Sequence, residues 1–428
     1  MNDSPGNSHT HNKISLDSAM HSFALAIGAL NAMRIDSCIH CGMCAEACHF
    51  YIATEDPMYT PILKAEPFKQ AYKREAGPFA PVYRLLGLKR RLTEDQLREW
   101  QHLIYDSCNL CGRCSLICPM GIDVAELIFE TRRAMAAAGL APEELQSRAD
   151  NQLESGQPES GEPYINLIQD IARKYNTDIP MDLAQADVFL CVPRTDILHY
   201  PASVAALAKV MHHLGVSFTF YQDALAAENY GYYAGNREIQ QKISKRLIDR
   251  AIACNAKTLV VPECGHAYSV LRWQAAELHG SALPFKVLHI TEFLAHQLES
   301  GTLKLGKVDG TSFAFHDPCQ LVRKGGVLDA PRVLMNALGL KLEEMANHQG
   351  FSFCCAGGGG VYDLEGARDL RYRAQQIKLR EVDATGADNF LTSCSDCRLS
   401  FADAQQHFDW DKSPQSLLEI VADNLLEE

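Results

Sequence analysis

Nothing in this 428-residue chain is long and apolar enough to span a bilayer. Its most apolar stretches, such as FALAIGALNAM at residues 23–33, fall well short of the roughly 20 residues a transmembrane helix needs. Positive charge is scarce too: 40 Lys and Arg face 53 Asp and Glu, a net charge of −13. No basic stripe interleaves with aromatic residues, which argues against nucleic acid as a partner. The opening MNDSPGNSHTHNK has neither a cationic start nor an apolar run ending in small residues, so it does not read as a secretory signal. The expectation is a cytoplasmic protein with a partly disordered N-terminal extension, residues 1–33. With 47% apolar residues, the remainder can bury the cores of two or three domains.

Cysteine is what the chain has in excess. Sixteen thiols without an export signal point to metal or redox chemistry, because reducing compartments keep thiols open. Eight lie in residues 38–118, five in residues 319–397 and three between. Clustering of that kind marks sites.

Residues 38–48 read CIHCGMCAEAC and residues 108–119 read CNLCGRCSLICP, the bacterial ferredoxin spacing twice over. Three thiolates at i, i+3 and i+6 wrap a loop around one cube face, while the fourth points to the neighbouring cluster. Crossed ligation is expected: Cys38, Cys41, Cys44 and Cys118 on one 4Fe–4S cluster, and Cys108, Cys111, Cys114 and Cys48 on a second. Zinc also takes C-x2-C, but as two pairs rather than as quartets containing a third cysteine. His49 stands where the second run has Pro119. It would tune a cluster if it placed a donor near Cys48, and an incidental surface histidine is the plainer expectation. Thr93 and Gln96 form a capping box for a helix over 92–100, and AELIFETRRAMAAAGL at 125–140 reads as another. Residues 34–146 are therefore expected as a helical domain, with the basic loop Lys89-Arg90-Arg91 a solvated face or a docking patch.

SRADNQLESGQPESGEPY, residues 147–164, has a connector's composition. Beyond it, short apolar runs alternate with helical patterns, the signature of β-α units on a parallel sheet. Residues 186–220 and 311–345 share a strand-loop-helix-strand order, and a long charged helix followed by a buried strand comes after each. Two repeats, 165–310 and 311–428, related by a pseudo-twofold axis, are expected. The fold class is α+β and α/β: a helical ferredoxin-like domain followed by two α/β repeats.

The second repeat carries Cys319, the adjacent pair Cys354 and Cys355, and Cys394 and Cys397. All three places fall where a strand should end, so their loops converge. Five thiolates are one more than a cube or a zinc ion needs. Neighbouring side chains in a regular strand point to opposite faces. The run Gly357–Gly360 is expected to relax the backbone so that both cysteines reach one irregular cluster, and to leave open space where a substrate approaches.

This arrangement resembles the CCG-domain family, typified by the catalytic subunit of heterodisulfide reductase. The resemblance implies a non-cubane 4Fe–4S cluster held by Cys319, Cys354, Cys355, Cys394 and Cys397, with Ala356 standing where the family usually has glycine. From about residue 35 the whole chain is similar to cytoplasmic iron–sulfur subunits of membrane-linked sulfur and sulfate metabolism complexes. That implies reduction or formation of a disulfide or persulfide on a small thiol or a sulfur-carrier protein. It also implies partner subunits, a flavoprotein or a membrane cytochrome or quinone-linked subunit, through which the chain associates with a membrane. The first repeat departs from the family: ENYGYYAGN, residues 228–236, stands where a cysteine pair is expected. One non-cubane cluster is therefore expected rather than two, with Cys191, Cys254 and Cys264 as buried small apolar residues.

His266 and His316 are candidate proton donors, with Glu263 a further one. Arg323 and Lys324 would attract an anionic substrate or line a solvated loop. The alternative function is a non-catalytic electron-transfer subunit of a flavin- or quinone-linked dehydrogenase, resembling the iron–sulfur subunits of glycolate and lactate oxidases.

Overall fold

The structure is a computed structural model that describes residues 14–77, 79–87, 92–308 and 310–426. Lys89, Arg90 and Arg91, and residues 1–13 of the expected extension, lie outside the described residues. From Ser15 onward the extension is helix rather than loose chain. Ser15 caps the helix Leu16–Ala26 by accepting the Ser18 N–H at 3.2 Å. The helix buries Ala19 and Phe23, packs on the helix Val124–Ala137, and sets the Phe23 ring 5.7 Å from that of Phe68. The apolar stripe, which has no partner nearby in sequence, covers this face of the helical domain.

That domain follows local rules. Thr93 and Gln96 close both halves of the capping box on the helix Glu94–Tyr105, at 3.1 and 3.3 Å. Asp123 caps the helix Val124–Ala137.

The rest of the chain forms two four-stranded sheets. The first contains β1 (Val188–Leu190), β2 (Phe218–Thr219), β3 (Thr258–Val261) and β4 (Lys286–His289). The second contains β5 (Ser312–His316), β6 (Lys341–Leu342), β7 (Asn389–Thr392) and β8 (Pro414–Ser416). Strand order is β2-β1-β3-β4 in one and β6-β5-β7-β8 in the other, with every pairing parallel. Runs such as VFL, TLVV and NFLT are buried almost throughout, as strands covered by helices on both faces require.

The repeats pack reciprocally. The helix Pro201–His213 of the first lies on Leu417–Asp423 of the second, and Ile290–Glu299 of the first lies on Ala330–Ala337 of the second. The helix after the first strand of each repeat thus meets the helix after the last strand of the other, the exchange that a two-fold axis imposes. One apolar core spans both, joining Val188, Leu190 and Phe218 to Phe313, Phe315 and Leu391.

Residues 147–164 are not a free connector. The helix Glu143–Ser155 continues through the first half and buries Leu145, Ala149 and Gln152. Gln152 accepts the Tyr230 N–H at 3.0 Å and donates to the Glu228 carbonyl. Polar composition hid an amphipathic face.

The three units meet at Arg132, the largest fully buried side chain. Its guanidinium donates to the carbonyls of Ile104 at 3.2 Å, Cys108 at 2.6 Å, Tyr233 at 3.0 Å and Gly359 at 2.7 Å. One residue from each repeat is therefore tied to the second cysteine loop. Gly235 permits the approach: a Cβ there would stand 2.7 Å from the Arg132 main chain. Replacing Arg132 by Leu strips several buried carbonyls of their donor, and an unfolding midpoint equivalent to at least about 3 kcal/mol lost is expected in chemical denaturation.

His289 caps the helix Ile290–Glu299 through Nδ1, which accepts the Thr291 N–H at 3.3 Å. Burial pushes its pKa down to about 3. The folded ring stays neutral where an unfolded chain protonates it, so its contribution is whole above pH 6.5 and is lost as pH falls toward 3. Asn in its place keeps a capping acceptor without titrating. The stability difference between His289→Asn and the parent is expected to move in the variant's favour by about 1.4 kcal/mol per pH unit over that window.

Candidate metal centres

The two ferredoxin-spaced loops have the same backbone. His40 and Leu110 take φ of 54° and 53°, and Gly42 and Gly112 take 80° and 75°, ahead of the short helices Met43–Glu46 and Arg113–Leu116. Alternation of right- and left-handed residues turns successive N–H groups inward, the concavity that receives anions and iron–sulfur clusters. Cys38, Cys41, Cys44 and Cys118 line one cavity of about 170 Å³. Cys48, Cys108, Cys111 and Cys114 line another of about 30 Å³. The fourth cysteine of each run faces the other run's loop.

His49 is buried, not a surface residue. Its Nε2 meets Asn109 Oδ1 at 2.8 Å, and Asn109 in turn donates to the carbonyls of Ala356 and Gly358, each at 2.8 Å. Burial pushes the His49 pKa down to about 3, so the neutral ring donates.

Four cations crowd the second loop. Lys64 is 1% exposed, with Nζ 3.7 Å from Cys48 Sγ and 2.5 Å from the Ser107 carbonyl. Arg132 is described above. Arg113 bonds the carbonyls of Ala47 and Phe351 and Asn347 Oδ1. Arg323 bonds the carbonyls of Cys111 at 2.7 Å, Gly350 at 3.0 Å and Ser352 at 2.5 Å. It is therefore a staple between loops, neither a lure for anions nor part of a solvated one, while Lys324 pairs with Asp123 at 3.1 Å. Among the described residues none of the four makes an ion pair. Lys64 and Arg132 are buried, and buried positive charge needs an anion, a need that thiolates holding an anionic iron–sulfur cluster would meet. The Cys108 thiol feels both sides: burial raises its pKa, and Lys64 and Arg132 lower it.

The five cysteines of the second repeat come together where the crossover direction reverses between β5 and β7. Cys319 follows β5, the pair Cys354 and Cys355 lies in the loop after β6, and Cys394 and Cys397 open the helix Ser395–Phe408 after β7. Each is 1–5% exposed. The sulfurs of Cys319 and Cys354 are 3.6 Å apart, and the sulfurs of Cys355 and Cys397 lie within 4.8 Å of each other and of a His316 ring nitrogen. Thiols of Cys354 and Cys397 donate toward Cys355, lowering its pKa below the ordinary range, while Cys319, Cys354 and Cys397 are raised.

The glycine run leaves no more than a cavity of about 20 Å³ beside it, not room for a substrate. A Cβ at Gly357 would meet Ser400 at 2.8 Å, at Gly358 the His266 ring at 2.9 Å, at Gly359 the Asn109 carbonyl at 2.8 Å, and at Gly360 Leu145 at 2.9 Å. These glycines let the helical domain and both repeats touch. His266 takes part by accepting the Gly359 N–H on Nε2 at 3.2 Å. Burial pushes its pKa down to about 3 and that of His316 well below neutral. Glu263 accepts the Ser416 hydroxyl at 2.8 Å, with its pKa raised to about 7 by burial.

In the first repeat, Arg194 follows Pro193 as Cys319 follows Pro318, and Cys264 stands at the N-terminal boundary of its helix as Cys394 does. Cys191 and Cys254 are buried in an apolar core. Nothing in the sequence signals Lys64, Asn109 or Arg132, which belong to ordinary helical and loop patterns.

Comparison with known proteins places these thiols in context. Residues 34–122 match the 4Fe–4S dicluster domain and residues 313–402 the cysteine-rich domain. The chain is 27% identical over 407 residues to a component chain of the dihydromethanophenazine:CoB–CoM heterodisulfide reductase of Methanosarcina mazei, covering 93% of this chain and 95% of that one. It is 26% identical to an Hdr-like menaquinol oxidoreductase iron–sulfur subunit of Archaeoglobus profundus, covering 84% and 74%. It is 28% identical to the EtfAB:quinone oxidoreductase of Syntrophomonas wolfei subsp. wolfei, covering 88% of this chain and 56% of that one.

Ala356 stands at φ 66°, a left-handed conformation that strains an L side chain and explains why glycine suits the position. Ala356→Gly is expected to raise stability by about 1 kcal/mol in chemical denaturation, with iron content unchanged.

Proposed function

We propose that the chain, with its dicluster and cysteine-rich domains and its likeness to heterodisulfide reductase and Hdr-like subunits, is a heterodisulfide reductase-like iron–sulfur protein that carries electrons between a redox partner and a five-thiol site that reduces or forms a disulfide or persulfide. In this reading Cys38, Cys41, Cys44 and Cys118 hold one 4Fe–4S cluster, Cys108, Cys111, Cys114 and Cys48 a second, and Cys319, Cys354, Cys355, Cys394 and Cys397 a third, non-cubane one. Such clusters supply one-electron transfer when bound.

Contiguity of the three thiol sets carries the reading. Cys44 acts electrostatically on Cys114, and Cys111 packs against the core that contains all five cysteines of the second repeat. Arg323, bonded to both the Cys111 and the Ser352 carbonyls, holds the second loop against the loop that bears Cys354 and Cys355. Asn109 and His266 fix the glycine run beside it.

The outermost set is the first. Cys41 is exposed, and Ile39, Met43 and Met120 are exposed around it at 61%, 39% and 45%, an apolar rim suited to a partner subunit. In this reading the partner is a flavoprotein or a membrane cytochrome or quinone-linked subunit, and the menaquinol and quinone oxidoreductases among the relatives support the quinone-linked class. No helix among the described residues is long and apolar enough to cross a membrane; in the proposed reading, association with a membrane is through that partner.

The burial of all five sulfurs favours a second reading, in which the third centre is a relay and the chemistry belongs to another subunit. Anaerobic electron paramagnetic resonance separates the two. Catalysis predicts a paramagnetic signal that appears only with a thiol or disulfide substrate and disappears in Cys355→Ser, while the dicluster signals persist. A spectrum indifferent to every small thiol and thiol-bearing carrier protein tried would leave the relay.

A further inference from the structure

The first repeat has a side-chain cluster at the place where the second has its five thiols. Loops after β1, β2 and β3 bring Asp196, Glu228, and Glu263 with Cys264 to the point between β1 and β3 where the crossover direction reverses, the usual ligand position of such sheets. Asp396 enters from the second repeat.

The cluster is rich in acid and poor in partners. Asp196, Glu228, Glu263 and Cys264 are each 1% exposed. Glu228 Oε2 accepts the Arg194 N–H at 2.8 Å, Asp396 Oδ1 accepts the Thr195 hydroxyl at 2.6 Å, and Glu263 Oε1 accepts the Ser416 hydroxyl. Among the described residues, Asp196 Oδ1, Glu228 Oε1 and Glu263 Oε2 have no hydrogen-bond partner. The nearby cations are engaged elsewhere: the Arg194 guanidinium with Glu159 at 2.8 Å and Asp363 at 3.0 Å, and Arg398 with Glu419 at 2.7 Å. Burying carboxylate oxygens with nothing to meet them is costly. A divalent cation bound at Glu228 removes that cost for Glu228 Oε1.

Three ligand atoms already converge. One oxygen of Glu228, Cys264 Sγ and one oxygen of Asp396 all lie within 4.8 Å of one another. Two carboxylates and a thiolate form a mixed oxygen–sulfur set that suits zinc and ions like it; calcium and magnesium require oxygen alone. A cavity of about 20 Å³ adjoins, lined by Glu228, Asp396, Tyr230, Tyr233 and the main chain of Gly357–Gly360. That is room for one water, the fourth ligand of a three-residue zinc site.

We propose that Glu228, Cys264 and Asp396 bind a single zinc-class divalent ion, in the first repeat's counterpart of the five-thiol site, with its open position on the cavity beside Gly357–Gly360. The proposal does not depend on what the iron–sulfur centres do. Its ligands are separate from the thirteen cysteines assigned to iron.

The test is metal analysis of full-length, iron-loaded protein prepared anaerobically, with and without added Zn2+. One zinc per chain is expected. In Glu228→Gln and in Cys264→Ser the affinity for Zn2+ is expected to fall about tenfold or more, with iron and sulfide content unchanged. Iron content reports folding, and Co2+ offered to the wild-type protein gives a check that needs no variant. A thiolate-to-cobalt charge-transfer band from one sulfur supports the site. Its absence overturns the proposal, as would zinc retained at full affinity in both variants. So too would infrared bands of protonated carboxyls, lost in Glu228→Gln, in protein that takes up no zinc.

Discussion

A guanidinium with no carboxylate partner among the described residues holds this molecule together. Arg132 is fully buried, and its donors end on main-chain carbonyls of Cys108, Tyr233 and Gly359, which belong to the helical domain, the first repeat and the second. A buried charge bonded only to neutral acceptors is unfavourable unless an anion lies close. Lys64 is buried beside the same loop, and the half-buried Arg113 and Arg323 also end on neutral acceptors there. The packing of three units is therefore written around negative charge at the cysteines, and the protein without its metals is the less comfortable state.

Under that constraint CCAGGGG has a mechanical purpose. The two thiols sit at the end of a loop, and the glycines that follow are where Asn109, His266, Ser400 and Leu145 press against its main chain. Side chains there would push the second cysteine loop away from the five-thiol pocket. The two repeats then show two solutions at one topological position. The second gathers thiols under positive charge from Arg323 and its neighbours, and the first gathers carboxylates whose cations are occupied elsewhere.

Much of this is legible in the sequence. Cysteine spacing is a local signal, and both loops adopt one backbone because each has glycine where a left-handed residue is needed. The Thr93–Gln96 box and the repeated strand order are also readable from neighbours in sequence. The rest depends on distant partners. His49 is buried by Asn109, sixty positions on, and Arg132 looks like any charged residue on an amphipathic helix. Gly357–Gly360 mislead because glycine serves open space and close contact equally well. The polar stretch at 147–164 conceals Ala149 and Gln152, which with Leu145 become buried only when the helix is docked.

Iron and acid-labile sulfide, counted in anaerobically prepared protein and in Cys354→Ser, test the central claim most directly. Three four-iron centres in the parent, and the loss of one of them in the variant with the other two retained, are the result the account predicts. Two centres in both proteins, with the five C-terminal thiols open to alkylation, would contradict it.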